Sequence, residues 1–402
     1  MRVSLAVAGL LWASIHVALG DDRIASLDKL TAEYEAAEKE FYEAPSAEKP
    51  TTADNIRSYE AWPGWKYIPR FVALVDTKPD DEAAFRSCQW IIDRTNNLGN
   101  EDKAIFDADQ KVWKVLAMHH TGRAELPLLC CQATQRFGPA QEQFLRGLLE
   151  RKDLSHENRG FATVALGEVL AGKHDYLKNR GAQAPSSPQD DWTKYTAGRE
   201  SPDWRTDLIP ANAAKFKIES MQLFRDALAH YAEVPVPITA PGFRDLKNLG
   251  EKASKSLHAL EHLSIGSEAP NIKGQDLQGR PLNLRDYRGR IVVLSFWFTG
   301  CNPCMEMIPQ EQRLIETYKD RPFDLLGICA DEAVEEARKT ATEHKMTWPC
   351  WFDGGNGPIA RDWNVLSWPT IIVLDKTGRI VAKRLHGEAL DKKVAELMAG
   401  QK

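Results

Sequence analysis

The 402-residue sequence lacks any large excess of charge of one sign. Its 52 Lys and Arg residues stand against 57 Asp and Glu residues, which gives a formal net charge of -5. Binding to nucleic acid or to anionic membrane surfaces depends on clustered positive charge, so this composition argues against both as partners. The contents of 43% hydrophobic and 27% charged residues are ordinary for a soluble globular protein. At this length we expect two or three domains.

Long hydrophobic runs are missing after the first twenty residues. Residues 1–20 place Arg2 before the mostly apolar stretch Val3–Ala13 and end in small residues, which is typical of a signal peptide. An uncleaved membrane anchor is the alternative. Ser14 and His16 interrupt the apolar stretch, however, and a spanning helix needs roughly 20 apolar residues. We therefore expect an exported protein, periplasmic or otherwise extracytoplasmic, that is soluble after cleavage and meets a membrane only if this segment stays uncleaved.

Cysteine is scarce and odd in number, with seven residues in the chain. A protein held together by a disulfide framework usually has an even and denser set in a much smaller domain. Cys301 and Cys304 lie three positions apart and form one candidate pair. Cys329 and Cys350 lie on predicted strands, and the pattern leaves open whether they pair.

The first half of the chain predicts helices separated by short breakers. Residues 21–233 are predicted to form an all-α domain of stacked helical hairpins, as in an α-solenoid, although no repeat of fixed period supports that label. Within it, residues 179–212 are rich in proline and predict a long surface loop. No pattern in this half indicates chemistry, so a surface for a protein partner and a passive scaffold both remain open.

A proline-rich segment separates the two halves. Residues 234–263 are predicted as a stiff Val-Pro-Val-Pro linker followed by a connecting helix from Phe243 to Leu263. Residues 264–402 then alternate predicted strands and helices. The order β-α-β-α followed by β-β-α predicts an α/β domain with a central mixed sheet and helices on both faces.

The stretch Ile291–Pro309 joins a buried strand to a helix. Ile291 to Phe298 is a continuous apolar run of β-branched and aromatic residues, short enough for a strand buried on both faces. Cys301 and Cys304 follow at the point where helical spacing begins. At a helix N-terminus, N–H groups without intrahelical partners and the helix dipole stabilise a thiolate. This placement predicts a dithiol/disulfide redox pair.

Half of a zinc site is the alternative interpretation of a C-x-x-C pair. Zinc needs two further cysteine or histidine ligands at comparable spacing, whereas Cys329 and Cys350 stand alone on predicted strands. We therefore expect neither a metal nor an organic cofactor. A second motif, Trp368-Pro369-Thr370, lies directly before an apolar strand. A proline that opens an internal strand indicates a cis peptide bond or an outward-facing one.

The order of these features resembles the exported thioredoxin-fold thiol:disulfide oxidoreductases of the TlpA and ResA-like family. The resemblance covers about residues 263–402, whereas the helical half resembles no family that we recognise. The matching features in chain order are Glu268-Ala269-Pro270, the hairpin Asp276 to Leu284, Phe296-Trp297, the C-N-P-C motif, Pro309, Trp368-Pro369-Thr370 and Gly387.

The resemblance implies a role for each site residue. Cys301 is expected to be the nucleophile and Cys304 the resolving thiol, and the two are expected to form a redox-active disulfide. Pro369 is expected to be a cis-proline beside that disulfide. The segment Trp368-Pro369-Thr370 and Trp297 are expected to line a groove for an extended substrate. The implied partners are a protein disulfide as substrate and a thiol as electron donor.

Three departures from the family pattern bear on the mechanism. Gly300 stands before the first cysteine, where the family usually has tryptophan, so the docking surface is altered. Ser295 stands where thioredoxin has a buried acid, and Met307 stands where ResA-like proteins have a glutamate. Glu306 comes one position early, a rotation of about 100° on a helix, and is a candidate proton relay. The proton acceptor for Cys304 stays open, with solvent as one option.

We interpret the chain as an exported thiol–disulfide oxidoreductase that works as a disulfide reductase, although the direction of electron flow depends on its reduction potential. A peroxiredoxin-type thiol peroxidase is the first alternative, since it shares the fold. The peroxidase pattern has a threonine three residues before the reactive cysteine, in a loop that contains proline. Thr299 lies one position too late, two residues before Cys301, and Pro303 follows the cysteine instead of preceding it. The second alternative is a partner-binding protein with a vestigial redox domain.

Overall fold

The computed structural model of the chain describes residues 4–44, 60–95, 103–135, 138–180, 208–237, 243, 246–355, 357–365 and 367–400. These residues divide into two compact units. The first contains α1 to α6 and α7 up to Val169; the second contains α7 from Leu170, α8 up to Leu228 and the described chain from Glu251. The helices before residue 264 are α1 Ser4–Glu43, α2 Gly64–Thr77, α3 Glu82–Thr95, α4 Lys103–His119, α5 Leu126–Ala133, α6 Pro139–Glu150, α7 His156–Arg180, α8 Ala213–His230 and α9 Leu249–His262.

Apolar helix faces build the core of the first unit. Trp90 of α3 stacks on Phe71 of α2 with ring centroids 3.7 Å apart, and Tyr34 of α1 meets the same indole edge-on at 4.7 Å. Helix α3 also packs on α4. The predicted all-α class of this region is confirmed, while the label of an α-solenoid stays a prediction.

The valine-proline segment pairs with a later part of the chain. The Val236 amide donates a hydrogen bond to the Lys247 carbonyl at 3.2 Å, and the Leu249 amide donates one to the Val234 carbonyl at 2.9 Å. This pairing uses backbone groups that a helix would otherwise need. Helix α9 therefore begins at Leu249, and the predicted start at Phe243 was wrong.

The C-terminal domain has a five-stranded mixed sheet in the order β5-β4-β3-β6-β7. Strands β3, β4 and β5 run parallel, whereas β6 and β7 are antiparallel to their neighbours. The predicted α/β class with a central mixed sheet is confirmed, and the short helix α12 is an addition. The elements are β1 Lys273–Gln275, β2 Pro281–Asn283, β3 Ile291–Trp297, α10 Asn302–Tyr318, β4 Phe323–Cys329, α11 Val334–Glu343, β5 Cys350–Phe352, α12 Pro358–Asp362, β6 Thr370–Leu374, β7 Ile380–Lys383 and α13 Gly387–Ala399.

Both faces of the sheet are covered, which explains why all seven residues of β3 are buried. Val293 packs on one face with residues of α10 and α13. Leu294 and Phe296 pack on the other face with the β1–β2 hairpin and Trp363. Because side chains alternate along a strand, Ser295 lies on the same face as Val293 and α10.

Some predictions concern regions that the structure describes only in part. Helix α1 includes residues 4–20 of the predicted signal segment. The role of that segment stays a prediction, as do the predicted domain boundaries. Within the described ranges, no helix is both long and apolar enough to cross a membrane. The surface loop predicted at 179–212 lies mainly outside the described residues.

Candidate active site

The turn between β3 and α10 places two cysteines at a helix N-terminus. Cys301 is the N-cap residue of α10, and its Sγ accepts a hydrogen bond from the Cys304 amide at 3.1 Å. Pro303 lies in the first turn, where its missing N–H is not needed by the helix. The positive end of the helix dipole therefore points at the sulfur atoms. This position stabilises negative charge on Cys301 Sγ once the pair is reduced.

Cys301 and Cys304 form a disulfide in this structure, with their Sγ atoms 2.05 Å and their Cα atoms 5.2 Å apart. The residues are only 5% and 3% exposed. They pack in one cluster with Trp297 and Leu277. The two residues of the predicted redox pair are thus brought together, in an arrangement that can exchange with another disulfide through a Cys301 thiolate.

The motif at residues 368 to 370 lies at the same end of the sheet as the disulfide. Strand β6 begins at Thr370, which pairs with Phe296 near the end of β3. The Trp368–Pro369 peptide bond is cis, as the resemblance implied. Trp368 is partly buried against the cluster that holds Trp297 and both cysteines. The residues predicted to line a substrate groove therefore lie at one end of the sheet, beside the disulfide.

A buried aspartate, which the sequence pattern did not indicate, holds the turn in place. Asp331 Oδ1 accepts a hydrogen bond from the Thr299 amide, and Oδ2 accepts one from the Thr299 hydroxyl, both at 2.7 Å. Oδ2 also accepts from the Cys329 thiol at 3.3 Å. The parallel register pairs Trp297 with Cys329, so Thr299 and Asp331 both lie two residues beyond a paired strand end. That common offset is the signal that could have identified Asp331.

The two other cysteines of this domain are buried thiols. Cys350 Sγ accepts a hydrogen bond from the Trp297 indole at 3.3 Å, and burial raises the pKa of Cys350 to about 12. Burial also raises the pKa of Cys329. Cys350 pairs with Gly327, which puts its Cα about 8 Å from that of Cys329 by strand spacing and rise. A disulfide does not span that distance, and both residues are free thiols.

The acidic residues of α10 differ sharply in exposure. Glu306, the candidate proton relay, has an exposed side chain, whereas Met307 is buried. Glu311, four residues after Met307, is only 3% exposed. Burial raises the pKa of Glu311 to about 7, although a hydrogen bond from Ser295 acts in the opposite direction. The sequence pattern did not indicate Glu311, but its spacing of four residues from Met307 places it on the same helix face.

The acidic residues described above do not form part of a metal-binding group. Within the described part of the chain, no three or more His, Cys, Asp or Glu residues are grouped so that they could hold a metal ion. The polar groups beside the disulfide instead hydrogen-bond one another, as Thr299 and Thr340 do at 2.8 Å. The chemistry that this arrangement offers directly is exchange at sulfur.

Known proteins that are similar to this chain match its C-terminal part. Residues 265–383 match the family model described as the AhpC/TSA family, and the helical N-terminal region has no family match. The chain is 30% identical over 138 residues to the thiol-disulfide oxidoreductase ResA of Bacillus thuringiensis subsp. konkukian, which covers 34% of this chain and 79% of that protein. It is 31% identical over 134 residues to the thioredoxin-like protein YneN of Bacillus subtilis, and this match covers 33% of this chain and 76% of that protein.

A solved structure is also similar. The thioredoxin domain of a thiol-disulfide oxidoreductase from Bacteroides vulgatus shares 31% identity with this chain and superposes with a TM-score of 0.32. The match covers 34% of this chain and 98% of that domain.

Proposed function

The chain belongs, through its C-terminal domain, to the ResA-type thiol-disulfide oxidoreductases, and we propose that it is an exported reductase of protein disulfides that works through Cys301 and Cys304. One observation carries the proposal. The two sulfur atoms lie at the N-terminus of α10, where the Cys304 amide donates a hydrogen bond to Cys301 Sγ. A helix N-terminus lowers the pKa of a thiol, and the thiolate is the nucleophile of disulfide exchange.

Reduction of a substrate disulfide takes two exchange steps. In the first, the Cys301 thiolate attacks one substrate sulfur, the substrate S–S bond breaks, and the leaving thiolate takes a proton from solvent. In the second, Cys304 loses its proton and attacks Cys301 Sγ. The intramolecular disulfide forms, and the second substrate thiolate leaves and is protonated. Two electrons thereby pass to the substrate, and a thiol donor later restores the reduced pair.

The surroundings of the disulfide support a protein substrate. The motif Trp368-Pro369-Thr370 and Trp297 lie at the same end of the sheet as the sulfur atoms, where an extended segment would pass over the pair. The hydrogen bonds from Thr299 to Asp331 hold the backbone two residues before Cys301. A nucleophile held in a fixed geometry needs less ordering when it attacks.

Export is the second part of the proposal. Its support is the signal-peptide pattern of residues 1–20, in which a basic residue precedes an apolar stretch and small residues follow. Disulfides form and persist outside the reducing cytosol. A periplasmic or otherwise extracytoplasmic reductase would therefore meet disulfides to act on.

Reduction of insulin disulfides by dithiothreitol tests the redox proposal. We expect the unmodified protein to accelerate the reaction and both Cys301→Ser and Cys304→Ser to abolish the acceleration. Cys88→Ser is the matched control, because Cys88 is an equally buried free thiol of the helical unit. We expect this variant to keep the activity.

Two outcomes contradict the proposal when peroxide consumption and partner binding are measured beside insulin reduction. Peroxide consumption that survives Cys304→Ser, without any insulin reduction, indicates a peroxiredoxin-type peroxidase. No exchange activity in the unmodified protein, with partner binding unchanged in the Cys301→Ser/Cys304→Ser variant, indicates a binding protein with a vestigial redox pair.

A further inference from the structure

Glu311 is a carboxyl group in the interior of the redox domain that the two exchange steps do not use. It lies on α10, 3% exposed, on the buried side of the helix. Met307 and Leu314, on the same side, belong to the apolar cluster between α10 and the sheet. Burying an ionised carboxyl without a cationic partner is costly, so its position calls for an explanation.

The local geometry directs this carboxyl toward the redox end of β3. Ser295 of β3 donates a hydrogen bond to Glu311. Ser295 lies on the same strand face as Trp297, two residues further on, and Trp297 packs with both cysteines. Along α10, the seven-residue separation puts Glu311 about 10 Å from Cys304 by helix rise. The separation is too long for a hydrogen bond but short enough for charge to be felt in the interior.

The surroundings of Glu311 contain few other ionisable groups. Helix α10 packs on β4 and α13, and β4 contributes Phe323, Leu325 and, at its end, the Cys329 thiol on this side. Among the described residues, the titratable or charged groups around the carboxyl and the disulfide are Cys350 on β5, Cys329 on β4, Asp331 after β4, Asp391 on α13 beside Gln310, His386 beside Met307, and the exposed Glu306 and Arg313 on α10 itself.

The neighbouring thiols and Asp331 are poorly suited to accept a proton that is released at the disulfide. Burial raises the pKa of both thiols, to about 12 in Cys350, so they stay protonated at neutral pH. Asp331 accepts three hydrogen bonds, two of them from Thr299. The Glu311 carboxyl, in contrast, has a pKa raised by burial to about 7. Burial lowers the pKa of His386, whereas the raised pKa of Glu311 lets this buried carboxyl exchange a proton near neutral pH.

We infer that Glu311 is the proton-linked group of the redox pair: its carboxyl takes up a proton when the disulfide is reduced and releases it when the disulfide forms again. The inference rests on the proposed function. The physical reason is that a Glu311 carboxylate and a Cys301 thiolate repel each other in an interior that screens charge poorly. In the oxidised protein the charge is the Glu311 carboxylate, and in the reduced protein it is the Cys301 thiolate.

The balance of atoms and charge is complete. Reduction adds two electrons and two protons to the disulfide and the Glu311 carboxylate, which yields the Cys301 thiolate, the Cys304 thiol and the protonated Glu311. In the reverse direction, the protons of Cys304 and Glu311 match the two thiols that the substrate becomes. Glu311 acts through its charge on the sulfur atoms, so it is a positioning residue for protons and does not touch the substrate.

The pH dependence of the redox equilibrium with dithiothreitol tests the inference. In Glu311→Gln the side chain keeps its size but cannot ionise. The charge resides on Cys301, which lies ten residues before Glu311, about 15 Å away by helix rise, with its Sγ beside that of Cys304. At an effective dielectric constant of about 20, like charges about 10 to 15 Å apart shift each other's pKa by about one unit. We therefore expect the equilibrium constant for reducing Glu311→Gln, relative to the unmodified protein, to rise about tenfold between about pH 6 and pH 9.

Glu316→Gln is the matched control, because Glu316 is an exposed glutamate on the same helix. Its ratio to the unmodified protein should stay constant over the same pH range. Glu311→Asp keeps a carboxyl and should retain the pH dependence of the unmodified protein with a shifted midpoint. Should Glu311→Gln fail to fold, infrared difference spectra of the unmodified protein decide: reduction at about pH 7.5 should increase the band of protonated carboxyl groups.

Several results overturn the inference. A flat ratio for Glu311→Gln, no gain of protonated carboxyl in the unmodified protein, or loss of the pH dependence in Glu306→Gln instead would each do so. Failure of the proposed function is a separate result. It would appear as absence of insulin reduction by the unmodified protein. If this inference alone fails, insulin reduction remains, and the pH dependence of the redox equilibrium is the same in the unmodified protein and in Glu311→Gln.

Discussion

At the scale of single residues, two buried carboxyl groups serve the redox turn in different ways. Asp331 accepts hydrogen bonds of 2.7 Å from the amide and the hydroxyl of Thr299 and so fixes the backbone ahead of Cys301. Glu311 has the Ser295 hydroxyl as its partner, and burial favours its neutral form. The first carboxyl therefore maintains structure, while the second can exchange a proton at neutral pH.

Replacing Asp331 should loosen the turn. In Asp331→Asn the atom at the Oδ2 position becomes a donor, so the hydroxyl of Thr299 and the thiol of Cys329 lose their acceptor. Loss of a buried acceptor costs about 1 to 3 kcal/mol. We expect urea unfolding to report a destabilisation of this size together with slower insulin reduction. Asp320→Asn, at an exposed aspartate just after α10, should change neither quantity; equal effects in the two variants would contradict the role of Asp331.

The stability of the oxidised protein should depend on pH through Glu311. Burial raises its pKa from 4.5 to about 7 in the folded state. Between these values the folded protein keeps a proton that the unfolded chain has lost, so the free energy of unfolding falls as pH rises from about 4.5 to 7. Between about pH 5 and 8 we expect this group to contribute a loss of about 2 to 3 kcal/mol.

Urea unfolding of Glu311→Gln checks that expectation, because this variant should lack the contribution. The unmodified protein should therefore lose about 2 to 3 kcal/mol more than the variant over this pH range. Glu316→Gln should behave like the unmodified protein. The same pH dependence in the unmodified protein and in Glu311→Gln would show that the carboxyl is not buried in solution as it is in the structure.

At the scale of elements, close packing between β3, β4 and β5 holds the Trp297 side of the site. Gly327 of β4 lies opposite Cys350, and a Cβ atom at this glycine would come within 2.7 Å of Cys350 Sγ and 3.1 Å of Trp297 Nε1. The strand therefore has room only for glycine at this position. The absent side chain leaves the space in which the indole of Trp297 hydrogen-bonds the Cys350 thiol.

Filling that space should destabilise the sheet. Gly327→Ala forces Cys350 or Trp297 to move, and overpacking of this kind costs about 1 to 3 kcal/mol. We expect thermal unfolding at a lower temperature and altered tryptophan fluorescence. Gly147→Ala makes the same change in α6 where no atom lies within 4 Å, and it should stabilise the protein by up to about 1 kcal/mol. A Gly327→Ala variant with an unchanged unfolding temperature would contradict the described packing.

The features that could be predicted from the sequence are those with a local cause. The apolar run Ile291 to Phe298 contains its own strand signal, and the two cysteines follow it directly, so β3 and the start of α10 were predicted correctly. The mixed sheet also followed from the order of strand and helix patterns. In each case the residues that cause the structure lie next to one another in the chain.

The features that could not be predicted depend on distant residues. Asp331 matters because it meets Thr299, 32 residues away, and Glu311 matters because it meets Ser295 across the space between strand and helix. Helix α9 starts late because Lys247 and Leu249 pair with the valine-proline segment. Local patterns do not contain these pairings, since each becomes visible only when the register of the chain is known.

At the scale of the whole molecule, the sequence combines a predicted signal segment, a helical region and a redox domain of an oxidoreductase family. The helical region has no family match, and whether it binds a protein partner stays a hypothesis. The proposed export makes a prediction about the whole chain. Produced with its first twenty residues in a bacterium, the protein should be recovered outside the cytoplasm with Asp21 as its first residue.

Mass spectrometry of the recovered protein identifies its first residue directly. The matched control is a variant in which Leu10 and Leu11 are replaced by arginine, because charges in the apolar stretch should block recognition as a signal. That variant should stay in the cytoplasm at full length. An unmodified protein that keeps Met1 and remains in the cytoplasm would contradict export without affecting the redox proposal.

Trapping the mixed disulfide tests whether Cys301 attacks a substrate disulfide and Cys304 resolves the product. Reduced Cys304→Ser is mixed with a peptide disulfide, quenched with acid and mapped by mass spectrometry. The mechanism predicts a stable adduct in which half of the peptide disulfide is bound to Cys301, and no adduct with Cys301→Ser/Cys304→Ser. No adduct on Cys301, or equal adducts on other cysteines in both variants, would contradict it.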